Sequence, residues 1–307
     1  MAERRWWWRA AQVALALLAL GLAVRKLALN WTELRSQSIH WEIQPGWLLA
    51  AAAITWAAYA LLVEAWRRVV VSMGQRLRYR DAARISMVSN LGKYIPGKVW
   101  AIAGNALLAQ QVGVDATASV AAAMVLQALA LASGVTLVGV LGPATLRAYG
   151  TGYVVATIIL GGLAVLGVLA LTSGRLLRLL RGVLPATMPT LTPVPPGVML
   201  AAFAVNVCAW AAYGLAFVYL ARGLTPDAAL TWSQASTVFT ISYLVGLVAL
   251  FAPGGVGPRE SLFVVLLTGP LGPKLAVALA LASRVLLTIT ELGAAAPFLL
   301  VRKGAPR

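Results

Sequence analysis

The chain has 307 residues, 61% of them apolar, with only nine acidic against 25 basic side chains. A water-soluble domain of this length would carry more charge. The composition therefore excludes an ordinary soluble enzyme and indicates a polytopic, all-α membrane protein, because several apolar runs reach the roughly 20 residues that cross a bilayer.

The formal charge of +16 does not point to nucleic acid. The basic residues fall in short loops, where they set topology and attract anionic lipid head groups. Cys208 is the only cysteine and His40 the only histidine, which excludes an intrachain disulfide and leaves a zinc site or a Cys/His catalytic pair without partners. Cys208 lies in an apolar run and reads as a packed helix residue.

Arg4, Arg5 and Arg9 precede the apolar run Ala10–Val24. No small-residue cleavage site stands before Arg25 and Lys26, so this segment is expected to be a retained first span, near 8–27, rather than a signal peptide. Trp6, Trp7 and Trp8 suit an interfacial anchor. The second span is expected near 46–66, with Trp47 and Trp66 at its interfaces. Glu64 there invites an ion pair with Arg67 or Arg68, one turn on. A basic stretch follows, from Arg67 to Arg84. Residues 81–111 are only partly apolar. Spans three and four are expected near 116–141 and 151–172, with Gly142-Pro143 punctuating the turn between them. Residues 173–196 carry Arg175, Arg178 and Arg181 and then five prolines, and read as a semi-rigid linker. The fifth span is expected near 197–221. Residues 230–270 are apolar and interrupted, and a last span is expected near 274–300.

The two interrupted regions share a pattern. One contains Asn90-Leu91-Gly92-Lys93-Tyr94-Ile95-Pro96-Gly97-Lys98-Val99-Trp100; the other contains Phe251-Ala252-Pro253-Gly254-Gly255-Val256-Gly257-Pro258-Arg259-Glu260. Both place Pro-Gly-x-Val between apolar runs, with charges alongside. Proline removes a backbone donor and glycine frees the backbone. In hydrocarbon such a break persists only inside protein or beside a cavity. Matching breaks in the two halves of a chain point to a transporter's binding site.

Charge orients the spans. The N-terminus, 67–84, 173–181 and the tail are basic and expected in the cytoplasm; the loops near 28–45, 142–150 and 222–232 are expected outside. The crossings agree only if 81–111 enters and leaves from inside and 230–270 from outside. The expected architecture is a single transmembrane domain over 1–307. It has about six full spans plus two re-entrant or broken-helix hairpins in an inverted-topology repeat. Half one covers about 1–172 and half two about 197–300. The competing topology has 233–251 spanning fully, which puts the tail outside.

These two motifs, with the length and span order, resemble the lysylphosphatidylglycerol synthase transmembrane family of flippase-like domains. The resemblance covers nearly the whole chain. In the larger synthases of that family a similar membrane domain precedes a soluble aminoacyl-transfer domain. This chain stops at Arg307, so the resemblance implies lipid translocation or lipid binding without synthase activity. A bacterial cytoplasmic membrane is the expected location.

Ionisable residues within spans are expensive and are functional candidates by default. Lys93 and Lys98 flank the first Pro-Gly, Pro96-Gly97. Arg259 and Glu260 follow the second, Pro253-Gly254-Gly255. If the hairpin tips meet, these four charges share a cavity. The cations would contact a lipid phosphate, and Glu260 a cationic head group or Arg259. Alternatively, the lysines reach back to the interface and Arg259 and Glu260 lie in an external loop. Arg284 and Glu291 are seven residues apart on one face of the last span. Arg284 against Glu260, and Glu291 against a base on another helix, are the pairs to look for. Asn105, Asn206, Gln127 and Gln234 suit interhelical hydrogen bonds.

No Walker motif, acid pair or nucleophile elbow is present, so no catalytic residue and no cofactor is expected. The expected function is translocation of an anionic or aminoacylated phospholipid, or of a polyprenyl phosphate. The alternatives are an accessory subunit of a lipid or glycan synthesis pathway, or a small-anion transporter. The expected partner is a membrane phospholipid or polyprenyl lipid, with a second copy or a synthase also open.

Overall fold

The computed structural model describes residues 41–94, 99–172, 194–226, 228–249 and 255–300. Among them every regular element is helical: α1 (Pro45–Ser72), α2 (Tyr79–Asn90), α3 (Val99–Gln110), α4 (Ala116–Leu146), α5 (Thr151–Thr172), α6 (Pro196–Leu224), α7 (Trp232–Val248), α8 (Pro258–Leu271) and α9 (Pro273–Leu300). Short 3-10 turns follow α2, at Leu91–Tyr94, and α4, at Arg147–Tyr149.

Five helical stretches are long and apolar enough to cross a membrane: α1, α4 with its 3-10 turn, most of α5, α6 and α9. They answer to the second to fifth expected spans and the last. The first expected span, Trp6–Trp8, His40, the arginine-rich linker and the tail lie outside the described residues. Each interrupted region is helix, break, helix: α2 and α3 in one half, α7 and α8 in the other. The Pro-Gly motifs, within 95–98 and 250–254, also lie outside the described residues.

Local sequence sets the helix ends. Pro45 and Pro258 stand in the first turns of α1 and α8, where a missing N–H costs nothing. Asp115 caps α4 by accepting from Ala118 N at 2.8 Å. Thr231 and Gln234 cap α7 reciprocally: Gln234 N donates to Thr231 Oγ1, and Thr231 N donates to Gln234 Oε1. The expected turn at Gly142-Pro143 is instead helical, since α4 runs through Pro143 to Leu146. Proline is tolerated inside membrane helices, and the reversal falls at Gly150, with φ +122°.

Packing joins the two halves. α1 lies mainly along α6, and α4 along α5. α7 is wedged among α4, α6 and α8, while α9 touches α1, α2, α6 and α8. One core centres on Trp210, Phe217, Phe239, Phe263 and Leu279. A second centres on Trp66, Val70, Ile85, Val114 and Ala122. The outer face of α5 leaves Ile158, Ile159, Leu163 and Leu166 exposed, as a lipid-facing helix does. Cys208, expected to be packed, is exposed on α6. A thiol behaves as a small hydrophobe, so an apolar surround accepts it there.

The basic end of α1 is ordered by the expected pairs. Glu64 accepts from Arg67 at 2.7 Å and from Arg68 at 2.8 Å. Arg67 also donates to Leu77 O, tying the helix to the approach to α2. Asn105 accepts from Ser119 across α3 and α4. Asn206 departs from expectation by donating to Ala202 O of its own helix, Gln234 is used in the α7 cap, and Gln127 is exposed.

The tightest helix crossing depends on a missing side chain. A Cβ at Gly214 of α6 would fall 2.6 Å from the Ser236 Cα of α7. That neighbour is backbone and cannot rotate away. Gly214→Ala is therefore expected to separate α6 from α7 and destabilise the fold by roughly 1–3 kcal/mol. A lowered melting temperature in detergent checks this; an unchanged one contradicts it.

Candidate functional site

The charges beside the two breaks converge on α9. After α2 the chain tightens into the 3-10 turn at Leu91–Tyr94, which packs against the start of α3. A Cβ on Gly92 would lie 2.6 Å from Ala101 N, so only glycine fits there. This packing turns Lys93 and Tyr94 toward α9. Lys93 Nζ contacts Glu291 Oε1 at 2.5 Å. The Tyr94 hydroxyl donates to Glu291 Oε2 at 2.7 Å and lies 3.3 Å from Thr288 Oγ1. Glu291 is only 5% exposed, and both its oxygens are held by the first broken region. Lys93 is thus turned onto α9.

The second break approaches α9 from the other side. Gly255 and Gly257 adopt φ of +73° and +94°, which side chains resist. Gly255 also lies against Gly246, where a Cβ would meet backbone at 3.0 Å. The chain is thereby held on α7 as α8 begins. Glu260 Oε2 accepts from Gly257 N at 2.8 Å, and its other oxygen accepts from Arg284 Nη1 at 2.9 Å. The Arg284–Glu260 pair is the one the sequence suggests. Neither residue lies in an outer loop: Arg259 and Glu260 occupy the first turn of α8.

Within its apolar stretch α9 therefore presents Arg284 and Glu291, seven residues apart, or about 10 Å along the axis. Each is matched by the opposite charge from a different broken region. A carboxylate or guanidinium left alone here would be very costly, so each pair fixes a break against α9.

Arg259 is different. It is 5% exposed, and among the described residues no carboxylate lies within ion-pair distance of it. Its guanidinium carbon sits 5.3–5.4 Å from the ring centroids of Phe239, Tyr243 and Phe263. Such ring faces attract a cation. Nη2 donates to Ser283 Oγ at 3.4 Å, whereas Nε has no partner among the described residues. α7 adds four buried hydroxyls without partners among the described residues, on Ser236, Thr237, Thr240 and Ser242. Beside Phe239 and Ser283 is a cavity of about 10 Å³, which is room for about one water. The site thus has one uncompensated cation, free donor capacity and two satisfied ion pairs.

Sequence reasoning does not find Tyr94, Ser283, Thr288 or the three rings. Tyr94 stands inside the first motif and so carries a signal; the rings stand in apolar runs and look like any core residue. Pro96, Gly97, Lys98, Pro253 and Gly254 fall outside the described residues. Among the described residues no three of His, Cys, Asp and Glu come together as metal ligands.

A multi-pass helical bundle with a broken helix pair in each half, both anchored by charge to one span, defines a class of membrane protein. The family described as "Lysylphosphatidylglycerol synthase TM region" matches residues 9–293, and the chain belongs to that family. No curated protein matches it in sequence. The membership supports a lipid-related role in a membrane.

Proposed function

We propose that this protein moves a lipid with an anionic head group across the membrane, without chemical conversion of it. The two broken helix pairs, in inverted topology, would enclose the polar path and dip from opposite faces of the bilayer. The observation that carries this reading is Arg259: a buried guanidinium caged by three rings, with no partner for Nε and no carboxylate within ion-pair distance among the described residues. A planar guanidinium accepts phosphate oxygens through paired donors. A phosphate reaching it would be compensated at once, in surroundings where charge interactions are strong.

The neighbouring acids give the site a second capacity. Glu260 and Glu291 are neutralised by Arg284 and Lys93. A cationic group on an aminoacylated head would compete with those bases for the same carboxylates. The site suits an anionic phospholipid, its aminoacylated form, or a polyprenyl phosphate. Energy coupling is not needed for passive equilibration of such a lipid.

Translocation of labelled lipids in proteoliposomes tests the reading. The wild type is expected to move phosphatidylglycerol or a polyprenyl phosphate faster than phosphatidylcholine. A Lys98→Ala/Arg259→Ala variant of equal stability is expected to be at least tenfold slower. Failure of every anionic probe to cross, with or without a pH gradient, would sink the proposal and favour an accessory subunit.

A further inference from the structure

A second feature lies beside the Lys93–Glu291 cluster. Among the described residues, a groove of about 320 Å³ lies open between α1, α2 and α9. On α1 its wall is Trp56, Tyr59 and Ala60; on α2 it is Tyr79, Ala83 and Met87; on α9 it is Gly293 and Ala294. The α1 and α2 sets are spaced by three and four residues, so each helix offers one continuous face.

The polar atoms of this wall are turned away from the groove. Trp56 Nε1 donates to Thr290 O at 2.9 Å. The Tyr59 hydroxyl lies 3.3 Å from Thr290 Oγ1. The Tyr79 hydroxyl donates to Ala60 O at 3.2 Å. All three aromatic residues spend their donors on the protein and present ring faces, alongside a methionine and small residues. Such a lining selects hydrocarbon and offers a polar solute nothing. Gly293 keeps the wall open: a Cβ there would press on Trp56 at 3.2 Å. The groove also begins where the charge cluster ends. Gly293 and Ala294 lie within one turn of Glu291, and Met87 lies six residues before Lys93.

We propose that this groove holds one acyl chain of the phospholipid that the protein translocates. The inference deepens the translocation reading and rests on it for the identity of the lipid. Two of the three walls, α1 and α9, are helices long and apolar enough to cross a membrane, which suits an occupant that comes from the bilayer. The volume lies at the lower end of small-ligand sites, which suits a single chain and not a whole lipid.

The test uses the full chain in liposomes of phosphatidylglycerol and phosphatidylethanolamine. The probe is a phosphatidylglycerol with a photoactivatable diazirine midway along one chain, and adducts are mapped by mass spectrometry. Adducts are expected on the groove faces of α1, α2 and α9. Ala60→Trp and, separately, Ala83→Phe should each lower them at least fivefold. Labelling of Leu160 and Leu163 on the exposed side of α5 should not change, which controls for folding and membrane insertion. Groove labelling no stronger than that of α5, or indifferent to both filling variants, would overturn the proposal. So would efficient disulfide linkage between two copies of an Ala60→Cys chain in a Cys208→Ala background, since a second copy would then cover the groove. Labelling in a protein that moves no lipid supports the groove and removes the translocation reading. Lipid movement without groove labelling does the reverse.

Discussion

Glu291→Ala is expected to destabilise the protein by about 3 kcal/mol, near the lower end of the range for removing one member of a buried ion pair. Two effects add. Lys93 loses its only ion-pair acceptor among the described residues, in a place where Glu291 itself is 5% exposed. The Tyr94 hydroxyl loses its shorter bond as well, at 2.7 Å to Glu291, and keeps only the 3.3 Å contact with Thr288. The first break then has no charge holding it to α9. Glu291→Gln should cost less, since an amide still accepts from Tyr94. The exchange Lys93→Glu with Glu291→Lys keeps the charges and the reach, and should recover at least half of the loss. Thermal unfolding in detergent, read as a double-mutant cycle, gives the coupling. Additive losses from Lys93→Ala and Glu291→Ala would show that the pair contributes nothing as a pair. Lys93 is the more exposed partner, so its removal should be the milder of the two single changes.

The sequence announces this arrangement unevenly. A charge inside an apolar run must find a partner, and that alone singles out Arg284 and Glu291. The partner Glu260 is foreseeable because few acids exist to choose from. Lys93 is harder to foresee for Glu291, since 198 residues separate them and Lys93 has an equally good local alternative at the interface. Its commitment depends on Gly92, whose missing Cβ lets the 3-10 turn press against α3. Spans are legible from length and hydropathy, but their ends drift. The pair Gly142-Pro143 has turn chemistry in water, yet α4 runs through it, because the reversal is made by Gly150 at a φ only glycine adopts easily. Polar residues are legible as polar, not as to their partner. Asn206 satisfies itself on Ala202 O, whereas Asn105 crosses to Ser119. The cage around Arg259 leaves no trace in the sequence. Phe239, Tyr243 and Phe263 come from two helices on opposite sides of the break, and each has the period of an ordinary core residue.

That cage leads to the second large effect, in which stability and transport part company. Arg259→Met should leave the melting temperature unchanged or raise it, while lipid translocation falls at least tenfold. The side chain is buried beneath three rings, and no carboxylate offsets its charge among the described residues. The ring faces return part of the desolvation cost, about 2 kcal/mol for a desolvated contact. Ser283 returns little, at 3.4 Å, and Nε returns none. Methionine fills a similar volume, contacts the rings favourably and has no charge to bury. Replacing a buried, poorly compensated charge with a well-packed apolar side chain is neutral to stabilising in other proteins. If Arg259 were only a structural element, Arg259→Met would lower stability and transport together. A residue kept at the expense of stability and needed for lipid movement is what a binding site contains. Arg259→Lys separates the contributions further. It keeps the charge, loses the planar fork and should retain a small part of the rate, with selectivity among phosphate-bearing lipids reduced. Equal transport by the wild type and Arg259→Met, at equal protein density in the liposomes, would remove Arg259 from the path.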